Sequence, residues 1–170
     1  MHRIPNVLTV LRLLATPVIL NRIWERDLDW ALVLFFLTGM TDTIDGTLAR
    51  NYGWTSKFGA FVDPIADKML LMSVFLTLGM RNFVPVWVVA VVLGRDLLIL
   101  LAAVVLKVTG RLGEFPPSVF GKISTLLQLL TAGAVLLRWP ADREPFFYAT
   151  AAMGILSFAH YCRQIWQKLN

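Results

Sequence analysis

The sequence predicts an all-α, polytopic membrane protein with six transmembrane helices. Three observations carry that prediction. The chain of 170 residues is 57% hydrophobic and only 16% charged, which is far too apolar for an ordinary soluble domain. Its long apolar runs recur between short polar breaks, and at about 20 residues per span the length accommodates five or six of them. All six tryptophans (Trp24, Trp30, Trp54, Trp87, Trp139 and Trp166) fall near predicted span ends, as an interfacial belt requires. With no repeat, low-complexity tract or second domain in evidence, the expectation is a single membrane domain over residues 1–170.

The first span is expected from about Val7 to Ile23 and is read as a retained helix, because no small-residue cleavage site follows it. Asn6, Thr9 and Arg12 recur every three residues at its start, a stripe that fits either an interfacial rim with Arg12 snorkelling or the wall of a polar cavity. The second span runs from about Trp30 to Arg50 and carries Asp42 and Asp45 in its latter half. Asp42 precedes Arg50 by about 12 Å of helix, so it sits below the headgroups, where an acid is costly and points to function.

The third span starts near Ser56 and reaches Met80, with Gly59, Asp63 and Asp67 four apart on one face and Pro64 in the first turns. Arg81-Asn82 is a turn, and the fourth span, about Phe83 to Lys107, holds Arg95-Asp96 near its middle. Neighbours on a helix point in different directions, so these two need not pair, and Arg95 is expected to reach a polar cavity. A loop rich in Gly and Pro, Thr109–Ser118, leads to the fifth span, about Val119 to Leu137, where Lys122, Thr125 and Gln128 again stand three apart. After the turn Arg138–Pro145 the sixth span runs to about Trp166. His160 within it reads as a satisfied interfacial histidine, and the single cysteine, Cys162, as a small helix residue.

Six spans place both termini on one side. Arg3, Arg50, Lys57, Lys107, Arg111, Lys122, Arg163 and Lys168 share it, against Arg22, Arg26, Arg81, Arg138 and Arg143 opposite. That excess puts the termini and the aspartate turn in the cytoplasm. The net charge of +5 does not indicate a nucleic-acid partner, because the basic residues lie scattered at the ends of apolar runs. Topology and anionic lipid account for them better.

Everything is organised around residues 42–67. Asp42 and Asp45 share a helix face, as do Asp63 and Asp67, and the short polar turn Asn51–Phe58 would bring the two faces together. Four carboxylates at such a spot cannot all stay ionised without cations. All-oxygen ligation favours Mg²⁺, Mn²⁺ or Ca²⁺ over zinc. Metals held by carboxylates suit displacement at phosphorus. The small residues Gly46, Ala49 and Gly59 allow a ligand close to the backbone, and Arg50 can contact a phosphate oxygen.

Written out, the stretch is Asp42-x2-Asp45-Gly46-x2-Ala49-Arg50-x8-Gly59-x3-Asp63-x3-Asp67. It resembles the signature of the CDP-alcohol phosphatidyltransferases, with every fixed position filled. The resemblance implies CDP-diacylglycerol as donor, a polar alcohol as acceptor and CMP as leaving group. It implies two divalent ions, Mg²⁺ or Mn²⁺, on Asp42, Asp45, Asp63 and Asp67, with Asp67 also the general base on the acceptor hydroxyl. Gly46, Ala49, Arg50 and Gly59 would hold the CDP portion. A homodimer in a bacterial-type inner or plasma membrane, among its lipids, is likewise implied.

The acceptor stays open between two chemistries. Arg12, Arg95, Arg111 and Lys122 are candidates to bind an anionic acceptor, which suits glycerol 3-phosphate, and Gly121-Lys122-x2-Thr125-x2-Gln128 resembles phosphatidylglycerophosphate synthases. Arg95-Asp96 departs from the Arg-Glu common there and resembles the cardiolipin synthases of the same fold, whose acceptor is phosphatidylglycerol. Glycerol 3-phosphate is favoured, and an inositol phosphate is a distant third. Two other classes fit less well. An ion-coupled transporter would be expected to show a second half or inverted repeat. A membrane prenyltransferase would carry its paired acids far apart in sequence.

Overall fold

The computed structural model describes residues 4–51, 59–108, 118–139 and 142–169, with side chains described for 12–40, 68–101, 118–139, 142–164 and 166. The apolar runs become helices, and the polar breaks become turns. Six helices and no strand are found among the described residues: α1 Ile4–Trp24, α2 Leu28–Asn51, α3 Gly59–Met80, α4 Val86–Val108, α5 Val119–Leu136 and α6 Glu144–Leu169. The fourth helix begins later than the expected Phe83, because Pro85 sets its start and its carbonyl accepts from Val88 N–H and Val89 N–H. Asp142 accepts from Glu144 N–H at the start of α6, where Pro145 occupies the first turn as its missing N–H allows.

Helices α1, α3 and α5 stop in the same way. Arg26, Asn82 and Arg138 adopt left-handed φ values of 63°, 60° and 59°, a conformation usually left to glycine. Each follows a helix end whose last carbonyls accept reverse-turn bonds, such as Phe83 N–H to Leu78 O at 2.9 Å and Trp139 N–H to Ala134 O at 3.0 Å. These caps gather at one end of the bundle. There the Arg81 guanidinium lies 5.1 Å from the Trp24 ring centroid, Arg26 lies 5.8 Å from that of Phe83, and an exposed ion pair joins Arg138 to Asp29 at 3.6 Å. Trp87 and Tyr148, at the starts of α4 and α6, meet at the same end with centroids 5.4 Å apart. The helices therefore alternate up and down, and the opposite end receives the α2–α3 connection with its acid motif.

Among the described residues the core draws on successive helices. Ile19 and Ile23 of α1, Phe35 of α2, Val74, Phe75 and Leu78 of α3, Val88 and Val92 of α4, and Val135 and Leu136 of α5 are buried together. Helix α1 packs on both α2 and α3, α4 on α3 and α6, and α5 on α6. Gly79 lets α3 and α4 close up, since a Cβ there would stand 2.6 Å from Val89 Cγ2.

Helix α5 is arranged inside out relative to a soluble helix. Gly121, Ser124, Gln128 and Thr131 face inward, while Val119, Phe120, Ile123, Leu126, Leu129 and Leu130 are exposed. Within the bundle the hydroxyls of Thr131 and Thr150 lie 2.7 Å apart, tying α5 to α6 through a fully buried pair. Small polar residues inside and bulky apolar ones outside are what hydrocarbon surroundings select. Among the described residues, α5 is the one helix long and apolar enough to cross a membrane, and Leu28–Met40 and Lys68–Met80 are shorter apolar stretches.

Candidate functional site

The acid motif straddles the α2–α3 connection. Asp42 and Asp45 lie within about three turns of the C-terminus of α2, and Asp63 and Asp67 within about three turns of the N-terminus of α3. The helical backbone places each pair on one face, as the spacing requires. The side chains of Asp42, Asp45, Gly46, Ala49, Arg50, Gly59, Asp63 and Asp67, and all of Arg111, lie outside the described residues. The donor set fits a hard divalent cation, because residues 42–67 supply four aspartate carboxylates and no His or Cys.

Immediately after Asp67 the described site begins. A cavity of about 400 Å³ is lined by Lys68 of α3, Arg95 and Ile99 of α4, Ser118 at the N-cap of α5, Gly121, Lys122, Thr125 and Leu126 of α5, and Tyr161 of α6. Three cations thus converge from three helices at the end of the bundle that bears the acid motif. Ser118 starts α5 by accepting from Gly121 N–H at 3.0 Å, and its own N–H donates to the Tyr161 hydroxyl at 3.4 Å. The first turn of α5 therefore stands in the cavity wall, where its dipole adds to the attraction for an anion. Thr125 anchors its hydroxyl on Gly121 O at 3.1 Å. Lys122 is exposed at the wall.

Arg95 reaches this cavity, as the sequence led one to expect, but it also pairs with Asp96. The Arg95 Nη1 donates to Asp96 Oδ1, its Nη2 donates to Ser157 Oγ at 2.6 Å, and Lys68 Nζ donates to the same Asp96 oxygen at 3.1 Å. The expectation that helix neighbours need not meet gives way to reach. A guanidinium on three methylenes can fold back to the adjacent carboxylate, and burial of both groups makes the pairing obligatory. Arg12, the other described acceptor candidate, is buried in α1 and is not part of this cavity wall. Gln128 is buried deeper on α5, with neither amide atom hydrogen-bonded. His160 is partnered by Phe120, 4.8 Å between ring centroids, and by Gln164 Nε2 at 3.0 Å, in keeping with a satisfied histidine. Cys162 is free and exposed.

Four residues of the wall and its support were not singled out from sequence: Lys68, Ser118, Ser157 and Tyr161. Lys68 carried a usable signal, being a cation directly beside Asp67. The others are single hydroxyls on apolar or loop backgrounds and become visible only when α4, α5 and α6 are brought together.

The family model of the CDP-alcohol phosphatidyltransferases matches residues 2–161, and the chain belongs to that family. It is 40% identical over 142 residues to a probable phosphatidylglycerophosphate synthase of Mycobacterium tuberculosis, an alignment covering 78% of this chain and 65% of that relative. It is 34% identical over 164 residues to a cardiolipin synthase (CMP-forming) of Streptomyces coelicolor, covering 92% of this chain and 74% of the relative. It is also 28% identical over 175 residues to the CDP-diacylglycerol–glycerol-3-phosphate 3-phosphatidyltransferase of Bacillus subtilis, covering 93% and 89%.

Proposed function

We propose that this chain is a membrane phosphatidyltransferase that moves the phosphatidyl group of CDP-diacylglycerol to glycerol 3-phosphate, releasing CMP and forming phosphatidylglycerophosphate. The observation that carries the acceptor is the cavity in which Lys68, Arg95 and Lys122 converge beside Asp67. A volume of about 400 Å³ suits a small polar molecule, and three cations suit a phosphate monoester. The filled signature of the family and the name of the Bacillus relative support the donor, and the name of the mycobacterial relative supports the product.

In this reading Gly46, Ala49, Arg50 and Gly59 receive the CDP portion, and the acyl chains stay in the bilayer. Asp42, Asp45, Asp63 and Asp67 would hold two divalent ions, Mg²⁺ or Mn²⁺, which when bound screen the phosphate charge and stabilise the leaving oxygen. Arg95, Lys122 and Lys68 seat the acceptor's phosphate, so that its free hydroxyl faces Asp67. Asp67 takes the hydroxyl proton as the oxygen forms its bond to the phosphatidyl phosphorus. The bond from that phosphorus to the CMP oxygen breaks, and CMP departs with the electron pair. The apolar outer face of α5 and the lysine and arginine asymmetry support six spans with the site and termini in the cytoplasm. A homodimer and a single domain complete the proposal.

A second reading, a CMP-forming cardiolipin synthase with phosphatidylglycerol as acceptor, is favoured by the Arg95-Asp96 pair and by the Streptomyces relative. Product assay in detergent separates the two. Purified protein receives CDP-diacylglycerol and Mg²⁺ or Mn²⁺ with glycerol 3-phosphate or phosphatidylglycerol in parallel. CMP release with glycerol 3-phosphate upholds the first reading, release only with phosphatidylglycerol replaces it by the second, and release with neither removes both.

A further inference from the structure

Asp96 is the one buried acid among the described residues, at 1% exposure. It is not itself part of the cavity wall, yet it holds two groups that are. Arg95 Nη1 and Lys68 Nζ donate to the same oxygen, Oδ1, from successive helices α4 and α3. Ser157 of α6 fixes the other guanidinium nitrogen at 2.6 Å. We propose that Asp96 is a positioning residue for the acceptor: it clamps Lys68 and Arg95 side by side on the cavity wall and sets the wall's charge to match a phosphate dianion. This rests on the glycerol 3-phosphate reading above.

The electrostatics require such a device. Arg95 is buried, whereas Lys68 is one-third exposed and long enough to turn toward solvent. Without a carboxylate between them, like charges in a low-dielectric wall repel, and the mobile one leaves. Asp96 reverses that outcome by giving both heads one acceptor. It also removes one of the three positive charges contributed by Lys68, Arg95 and Lys122, which leaves two. A phosphate monoester carries between one and a half and two negative charges near neutral pH. A phosphodiester carries only one, so the clamp favours the monoester. The clamp also ties the helix turn that follows Asp67 to α4, so the phosphate seat and the proton acceptor keep a fixed relation.

The test is steady-state kinetics on the full-length protein in detergent micelles, varying glycerol 3-phosphate and CDP-diacylglycerol separately, with inorganic phosphate as a competitor against the acceptor. For Asp96→Asn the expected result is a KM for glycerol 3-phosphate at least tenfold higher, matching weaker inhibition by phosphate, and a KM for CDP-diacylglycerol within threefold of the parent. Asp96→Glu, which keeps the charge but moves it out by one methylene, should recover most of the loss and leave the acceptor KM about threefold above the parent. Equal changes in both KM values, an unchanged acceptor KM, or no recovery with Glu overturns the clamp while leaving the acceptor reading intact. If Asp96→Asn cannot be purified folded, Asp96→Glu is read alone. A threefold rise confined to the acceptor KM then supports the clamp, and a uniform change or none overturns it. Parent protein that turns over phosphatidylglycerol but not glycerol 3-phosphate overturns the acceptor reading and the dianion match together.

Discussion

The hydroxyl of Tyr161 stands 2.9 Å from where a Cβ on Gly121 would sit, and Ser118 Oγ stands 3.1 Å from the same point. The glycine is thus the space in which α6 approaches the first turn of α5, and both flanking hydroxyls belong to the cavity wall. Gly121→Ala should push the tyrosine ring aside and narrow the cavity. The expected outcome is an acceptor KM raised several-fold with little change in melting temperature, measured on the same detergent-solubilised sample. A wild-type acceptor KM would show that Tyr161 does not shape the seat.

Asp67→Asn keeps the size of the side chain and removes its capacity to take a proton. Turnover should fall by about a thousandfold or more, in the range expected for loss of a general base, while CDP-diacylglycerol still binds. A CMP-release assay beside a lipid-binding assay checks it. Full turnover in the variant would take the base role away from Asp67.

Lys122 is exposed at the cavity wall and carries no ion pair among the described residues, so its removal leaves no buried charge behind. Lys122→Ala should raise the acceptor KM about tenfold, the effect of losing roughly 1.4 kcal/mol of a charge-assisted contact. The KM for CDP-diacylglycerol should hardly move. Equal effects on the two substrates would argue against a phosphate seat at α5.

The Thr131–Thr150 pair is structural, and it lies among the buried inward-facing residues of α5 and α6. Thr131→Val leaves the Thr150 hydroxyl with only a long contact to Leu127 O at 3.4 Å, and should cost about 1–2 kcal/mol. Thr131→Val with Thr150→Val should recover most of that loss, because no buried hydroxyl is then orphaned. A double-mutant cycle of thermal or denaturant stability measures the coupling.

Gln128 presents the reverse case, a buried amide with both polar atoms unpaired. Gln128→Met fills similar volume without the polar groups and should raise stability by about 1–3 kcal/mol. A drop in melting temperature would mean that the amide has a partner in the working protein.

Much of the fold was legible because one signal dominates it. Long apolar runs broken by Arg81-Asn82, the Gly-Pro loop and Arg138–Pro145 mark the helices to within a few residues. Of the acid motif, the helical placement was legible, in the last turns of α2 and the first turns of α3, while its side chains lie outside the described residues. The cationic cavity was only half legible. Arg95 and Lys122 stood out as charges inside apolar runs, but Lys68, directly beside Asp67, was not singled out. The hub at Asp96 was missed because it depends on contacts from α3 to α4 and from α4 to α6, across 28 and 62 residues of chain. No local periodicity encodes such a meeting. Tyr161 and Ser157 lie in a helix whose pattern says only which side is apolar.

The three left-handed caps and their cation–π contacts bind the bundle at the end remote from the acid motif. Two of these helix ends each send a cation to the other's ring: Arg26, just past α1, lies over Phe83, just past α3, and Arg81 of α3 lies over Trp24 of α1. The exchange acts as a reciprocal latch, because neither helix can slide along the other without breaking both contacts.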